Sequence, residues 1–186
     1  MNRYDIYNIL REELKNGSSD LVTRPSGQVI RERIERDIER EEDGTVVALD
    51  FSRIGIIDYS CADEIVAKLV SRLLGNEYGD KYLILTGLND NQKENIEVAL
   101  ERKDLPVMAE MRDGKRVLIG NLNNYLKETL SIIEEQNKIT ARDLSEIRDI
   151  SANTSGTRLL NLHKKRLVVR RDEIRENGRV NVYERI

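Results

Sequence analysis

Within six residues the chain places Asn153, Thr154, Ser155, Thr157 and Arg158. These side chains match exposed base edges: Asn suits adenine, Arg suits guanine or a phosphate, and a hydroxyl adapts to either. Lys164, Lys165, Arg170, Arg171, Arg175 and Arg179 follow. Their charges suit phosphates, which position a protein on a duplex without reading its sequence. From Ser151 onward nine basic residues stand against four acidic ones, a net of +5; the total of −3 leaves −8 on residues 1–150. A basic end on an acidic body implies a polyanion-binding end. The same charges also fit an ordinary solvated surface.

A second group is Asp58, Ser60, Cys61, Asp63 and Glu64. A serine at a helix start is a reasonable phosphate site, because unsatisfied N–H groups and the positive dipole end favour an anion. The flanking carboxylates oppose a phosphate by like-charge repulsion. The other reading makes Ser60 an N-cap, with Asp63 and Glu64 complementing the helix dipole. Cys61 is the single cysteine, so no intrachain disulfide forms. Beside acids its thiol has no reason for a lowered pKa, and it reads as a buried structural residue. With His163 the single histidine, clustered Cys/His zinc ligation is excluded.

No Gly-rich phosphate loop, Ser/His/Asp grouping or metal-ligand cluster occurs, so neither an enzyme nor a cofactor is expected. Aromatics are 4% of the chain, with no Trp, which argues against a stacking platform for single strands. No apolar run reaches the roughly 18 residues of a membrane span. A soluble, cytoplasmic protein is expected.

Positioning these residues requires two different kinds of framework. Residues 4–15 have helical spacing at Ile6, Ile9, Leu10 and Leu14, stopped by Asn16-Gly17. Residues 21–23 read as a short strand. Residues 29–42 read as a helix with Val29, Ile30, Ile34 and Ile38 inward and its Arg and Glu residues outward. Residues 45–51 are β-branched and nearly all apolar, as in a strand covered on both faces. A helix over 60–74, a strand over 81–86 and a helix over 89–102 follow. Strands 107–111 and 115–119 flank the turn signal Asp113-Gly114. Alternating strands and helices predict a sheet with crossover connections.

After Gly120 the pattern changes. Helices are expected over 123–137, over 141–148 with Thr140 as N-cap, and from Ser151 or Asn153 to about 165. Strands over 167–174 and 179–185 flank Glu176-Asn177-Gly178, a strong hairpin signal.

The segment TARDLSEIRDISANTSGTRLLNLHKKRLVVRR, with ENGRVNVYERI after it, resembles the winged helix-turn-helix regulators over about 65 residues. The resemblance implies a second helix, a turn, a recognition helix and a wing hairpin on duplex DNA. Where that family often has Gly after the recognition helix, this chain has Arg166. A left-handed conformation there would cost an arginine about 1 kcal/mol, so a different turn is expected.

The segment VVALDFSRIGIIDYSCADEIVAKLV resembles the STAS domains of anti-sigma-factor antagonists and sulfate-transporter tails. It is closer to the STAS-like group of unknown function, through Leu49-Asp50-Phe51 and Ser60-Cys61-Ala62-Asp63-Glu64. LVTRPSGQVIRERIERDI fits the same group, with Arg24 and Gly27 opening the first helix. In antagonists a serine at the position of Ser60 is phosphorylated by a partner kinase, although the Gly that follows it there is Cys61 here.

The expected fold is an α/β STAS-like domain with a mixed sheet over 18–120, preceded by an N-terminal helix over 1–17. A winged helix-turn-helix domain follows over 121–186. The expected function is bacterial-type transcriptional regulation, with double-stranded DNA as partner and the STAS-like domain receiving a protein signal or forming a homodimer. The alternative is an adaptor that binds no DNA and docks an anti-sigma-type ATPase, with Ser60 as its phosphorylation site.

Overall fold

Five strands make the sheet of residues 1–121: β1 (Asn2–Asp5), β2 (Val46–Asp50), β3 (Tyr82–Leu88), β4 (Pro106–Met111) and β5 (Arg116–Gly120), in that spatial order. The first four run parallel and β5 returns antiparallel to β4, so the sheet is mixed. The computed structural model describes residues 1–15, 17–175 and 178–186. They fall into two units, Met1–Asn121 and Leu122–Ile186. The α/β character expected from the sequence is present.

Each parallel connection carries helix. α1 (Ile6–Leu14) and α2 (Arg24–Glu39) link β1 to β2. A helix links β2 to β3 in three parts: α3 (Tyr59–Ala62), a π-helical segment (Asp63–Ala67) and α4 (Lys68–Leu74). α5 (Asp90–Glu101) links β3 to β4, capped by Asn89 in a capping box with Gln92. Leu49, Leu85 and Ala109 are registered across three strands and share one core with Ile6, Ile30, Ile65 and Ile96. Ala48 and Ile84, on alternate positions, are also buried, which accounts for the unbroken apolar run.

Three expectations for this unit need correction. Residues 2–5 are a strand of the sheet, and Ile6, Ile9 and Leu10 of α1 lie in the main core. Residues 1–17 are therefore part of the first unit and not a separate helix. α2 begins at Arg24, with Pro25 in its first turn, where the missing N–H costs nothing. Residues 21–23 contribute only an isolated bridge between Leu21 and Ile57. The Asn16 part of the expected stop signal lies outside the described residues, while Lys15 ends α1 with φ 51°.

The second unit contains α6 (Asn124–Gln136), β6 (Lys138–Thr140), α7 (Ala141–Arg148), α8 (Ala152–Lys164), β7 (Val168–Arg175) and β8 (Gly178–Arg185). The three strands form an antiparallel sheet ordered β6–β8–β7. Leu126, Leu130, Ile133, Leu144, Leu159, Leu162, Val168 and Val182 are among its buried apolar residues. The sequence reading lacked β6, whose Ile139 pairs with Tyr183. Of the expected turn Glu176-Asn177-Gly178, the first two residues lie outside the described residues.

Candidate nucleic-acid interface

Two caps fix the angle between α7 and α8. Thr140 and Asp143 form a capping box at the start of α7. Asp149 then closes α7 in the left-handed region, at φ 51°. Ser151 caps α8, its hydroxyl accepting from the Thr154 N–H at 3.1 Å. Of the two cap candidates, Ser151 is the one used. Only Asp149, Ile150 and Ser151 separate the two helices.

α8 has a period of 3.6 residues, and this sorts the candidate base readers. Asn153, Thr154 and Thr157 are exposed and Arg158 is half-buried. Together with Tyr125 and Asn161 they line one concavity between α6 and α8. Ser155 is corrected: it is 0% exposed. It stands four and seven residues before Leu159 and Leu162, on the core side of the helix, and cannot reach a base. Asn161 and Tyr125 were missed. Asn153, Thr157 and Asn161 recur every fourth residue, so the spacing alone identifies Asn161. Tyr125 has no such signal, because its place beside α8 depends on how α6 packs.

The Arg158 guanidinium lies over the Tyr125 ring, 5.4 Å from its centroid, within cation–π range. Asn123 donates a side-chain N–H to the Tyr125 hydroxyl at 3.1 Å. Among the described residues no carboxylate pairs with Arg158, Lys164 or Lys165.

The hairpin arginines differ. Arg170 donates twice to Asn181 Oδ1, at 3.1 and 2.8 Å. Arg171 pairs with Glu184 at 3.0 Å, and Arg179 pairs with Asp172. An engaged arginine has less to offer a phosphate. The Arg175 side chain lies outside the described residues. Arg166 adopts φ 57°. The turn therefore keeps the left-handed shape despite the arginine, contrary to the expectation of a different turn.

At the start of α3 the N-cap is Asp58, not Ser60. Asp58 Oδ1 accepts from the Cys61 N–H at 2.7 Å and from the Ser60 hydroxyl at 2.8 Å, and Oδ2 accepts from the Thr23 N–H at 3.0 Å. Thr23 stands at φ 75°, a strained value for a β-branched residue. Burial raises the Asp58 pKa, and these hydrogen bonds bring it below the ordinary value. A phosphate on Ser60 would meet that carboxylate. The Cys61 thiol is buried, donates to the Thr23 carbonyl at 3.0 Å, and is pushed up to about 12, first by burial and then by the Asp58 charge.

Asp63 and Glu64 do not face solvent to complement a helix dipole. The π-helical segment turns all of Asp63–Ala67 inward. Arg24 Nη1 lies 2.8 Å from both Asp63 Oδ2 and Glu64 Oε1. Lys103 pairs with Asp63 at 2.6 Å, Lys68 with Glu64, and Arg31 with Glu64 at 3.4 Å. Arg31 also reaches Glu35 at 2.7 Å, and Glu35 accepts from Arg72 and the Tyr78 hydroxyl at 2.7 Å each. Arg31 and Glu35 were expected to point outward, yet both are buried. Every acid of this cluster has a cationic partner within it, although Asp63 Oδ1 meets Lys103 as an ion pair without a hydrogen bond, and the cluster reads as structural.

No group of three or more metal-ligating side chains occurs among the described residues. No described helix is long and apolar enough to cross a membrane. No known family model and no curated protein matches this chain.

Proposed function

We propose that residues 122–186 form a winged helix-turn-helix that binds duplex DNA through α8, and that the chain is a transcriptional regulator. The observation that carries this is the α8 surface. Asn153, Thr154, Thr157, Arg158 and Asn161 lie on one concave face, followed by Lys164 and Lys165 without acidic partners among the described residues. Neutral hydrogen-bonding groups near the helix N-terminus suit base edges, and bare cations at its end suit phosphates. The β7–β8 hairpin is the wing in this reading. The mixed sheet of the first unit is a STAS-like module that receives a partner protein or pairs with its own copy.

The test is retention of genomic DNA fragments by the intact chain at low salt. Binding that falls steeply with salt, and weakens on Arg158→Ala, is expected. Retention of no fragment would overturn the reading.

One observation favours an adaptor that docks an anti-sigma-type ATPase. Ile174, near the hairpin end, is 91% exposed, and Arg170, Arg171 and Arg179 of the hairpin are engaged by Asn181, Glu184 and Asp172. An exposed apolar residue on a charge-balanced hairpin suits a protein partner. A pull-down that recovers such an ATPase with no nucleic acid, and loses it on Ile174→Asp, would favour it.

A further inference from the structure

The feature carried furthest by the geometry is the contact between α6 and the middle of α8. Tyr125 is 41% exposed although aromatic, so burial does not explain its presence. Its hydroxyl is tied by Asn123 at 3.1 Å, which limits the ring's freedom. The Arg158 guanidinium lies over that ring at 5.4 Å. The remaining walls of the concavity are Asn153, Thr154, Thr157 and Asn161, none of them charged.

We propose that Tyr125 is a specificity-positioning residue, whose ring holds the Arg158 guanidinium ready to read a guanine. This rests on the reading of α8 as the helix that enters the major groove. A guanidinium held over a ring by its charge leaves N–H groups at its edge, and that edge matches guanine O6 and N7 as a bidentate pair. The contact with the ring also restricts the side chain before DNA arrives, so less freedom is lost on binding. Lys164 and Lys165 have no such ring beside them among the described residues and act as point charges toward phosphate. Arg158 and the two lysines, close in sequence and equal in charge, therefore do different work.

The experiment begins with selection of duplexes from a random pool by the intact chain, which defines the preferred site. Binding is then measured for that site and for variants with each guanine replaced, across a salt series. One guanine should carry a preference that Arg158→Lys and Tyr125→Leu both reduce, by about 5- to 100-fold. Tyr125→Phe should keep most of it, because the ring remains. The salt slope should be the same for all four proteins, since each keeps the same charges. Circular dichroism confirms that each variant is folded, and the exposure of Tyr125 makes that the expected result.

If wild-type chain retains no duplex, this proposal and the reading beneath it both fail. If it binds duplex but Tyr125→Leu leaves every base preference intact, only the role of Tyr125 fails. If Arg158→Ala weakens all sequences equally and lowers the salt slope by about 0.9, Arg158 is a phosphate contact and the proposal fails while duplex binding stands.

Discussion

Gly27 of α2 and Cys61 of α3 approach so closely that a Cβ on Gly27 would lie 3.0 Å from the Cys61 Cα and 3.0 Å from the Glu64 Cβ. The obstacle is backbone and a β-carbon, which cannot swing aside. Gly27→Ala should therefore push α2 off the π-helical segment. Overpacking costs about 1–3 kcal/mol, and the better helix propensity of Ala returns roughly 1 kcal/mol. A net loss of up to about 2 kcal/mol is expected, read as a lower urea midpoint by far-UV circular dichroism. A raised midpoint would show that the two helices part freely.

Asp58 and Ser60 should separate cleanly on mutation. Asp58 satisfies the N–H groups of Cys61 and Thr23, and Ser60 only donates to Asp58. Asp58→Ala loses an N-cap and the hydrogen bond that holds the exposed Thr23 N–H at its strained φ, for about 1–2 kcal/mol. Ser60→Ala should cost at most about 1 kcal/mol. Comparable losses from both would mean that Ser60 shares the capping role.

The buried ion cluster predicts an acid limb of stability. Burial raises the pKa values of Glu64, Asp63 and Glu35, but hydrogen bonds and charges from Lys68, Arg24, Lys103, Arg31 and Tyr78 outweigh it, and all three end below their ordinary values. Acids with depressed folded-state values bind protons more readily when unfolded. Their contribution is thus present above the ordinary values of 4.5 for Glu and 3.8 for Asp, and is lost as pH falls through the folded-state values. Thermal midpoints should hold from pH 7 to about 5, then fall. Glu64→Gln should cost about 3 kcal/mol at pH 7, because Arg31 is left buried with one acid fewer. It should also make the acid limb shallower, and an unchanged limb would exclude Glu64 as its source.

How much of this was legible in the sequence follows from the range of the forces involved. The strand over 46–50 and the helix over 90–101 were readable because apolar period, caps and turn signals are local. The inward turn of Arg31 and Glu35 was not, since a charge is buried only where a distant partner meets it, here Glu64, Arg72 and Tyr78. β6 was missed because three residues carry no period, and their strand geometry comes from pairing with β8. Ser155 was legible and misread: counting four and seven residues on to Leu159 and Leu162 places it on the buried side.

Arg166 tests the cost of a left-handed arginine. At φ 57° its Cβ crowds the following carbonyl, a strain worth about 1–2 kcal/mol that Gly would not feel. Gly also has a more flexible unfolded chain, which returns part of the gain. Arg166→Gly should raise stability by up to about 1 kcal/mol and leave DNA affinity within about twofold. A lower melting midpoint would mean that the side chain's contacts outweigh the backbone strain.

The salt dependence of binding should report which cations meet phosphate. If every basic residue of the candidate set did so, some seven or more counterions would leave, and the slope of log K against log salt would be about −6 or steeper. Arg171 and Arg179 are instead paired with Glu184 and Asp172, and Arg170 is held by Asn181. Using them would first break those contacts. Lys164 and Lys165 have no acidic partner among the described residues, and the N-terminus of α8 supplies about one further phosphate contact through backbone N–H groups. A slope of about −2 to −3 is therefore expected between 50 and 200 mM salt. Lys164→Ala should weaken all sequences alike and reduce the slope by about 0.9, while Arg171→Ala should change neither by much. A slope near −6, or a large loss from Arg171→Ala, would mean that the hairpin releases its acids and closes on the DNA.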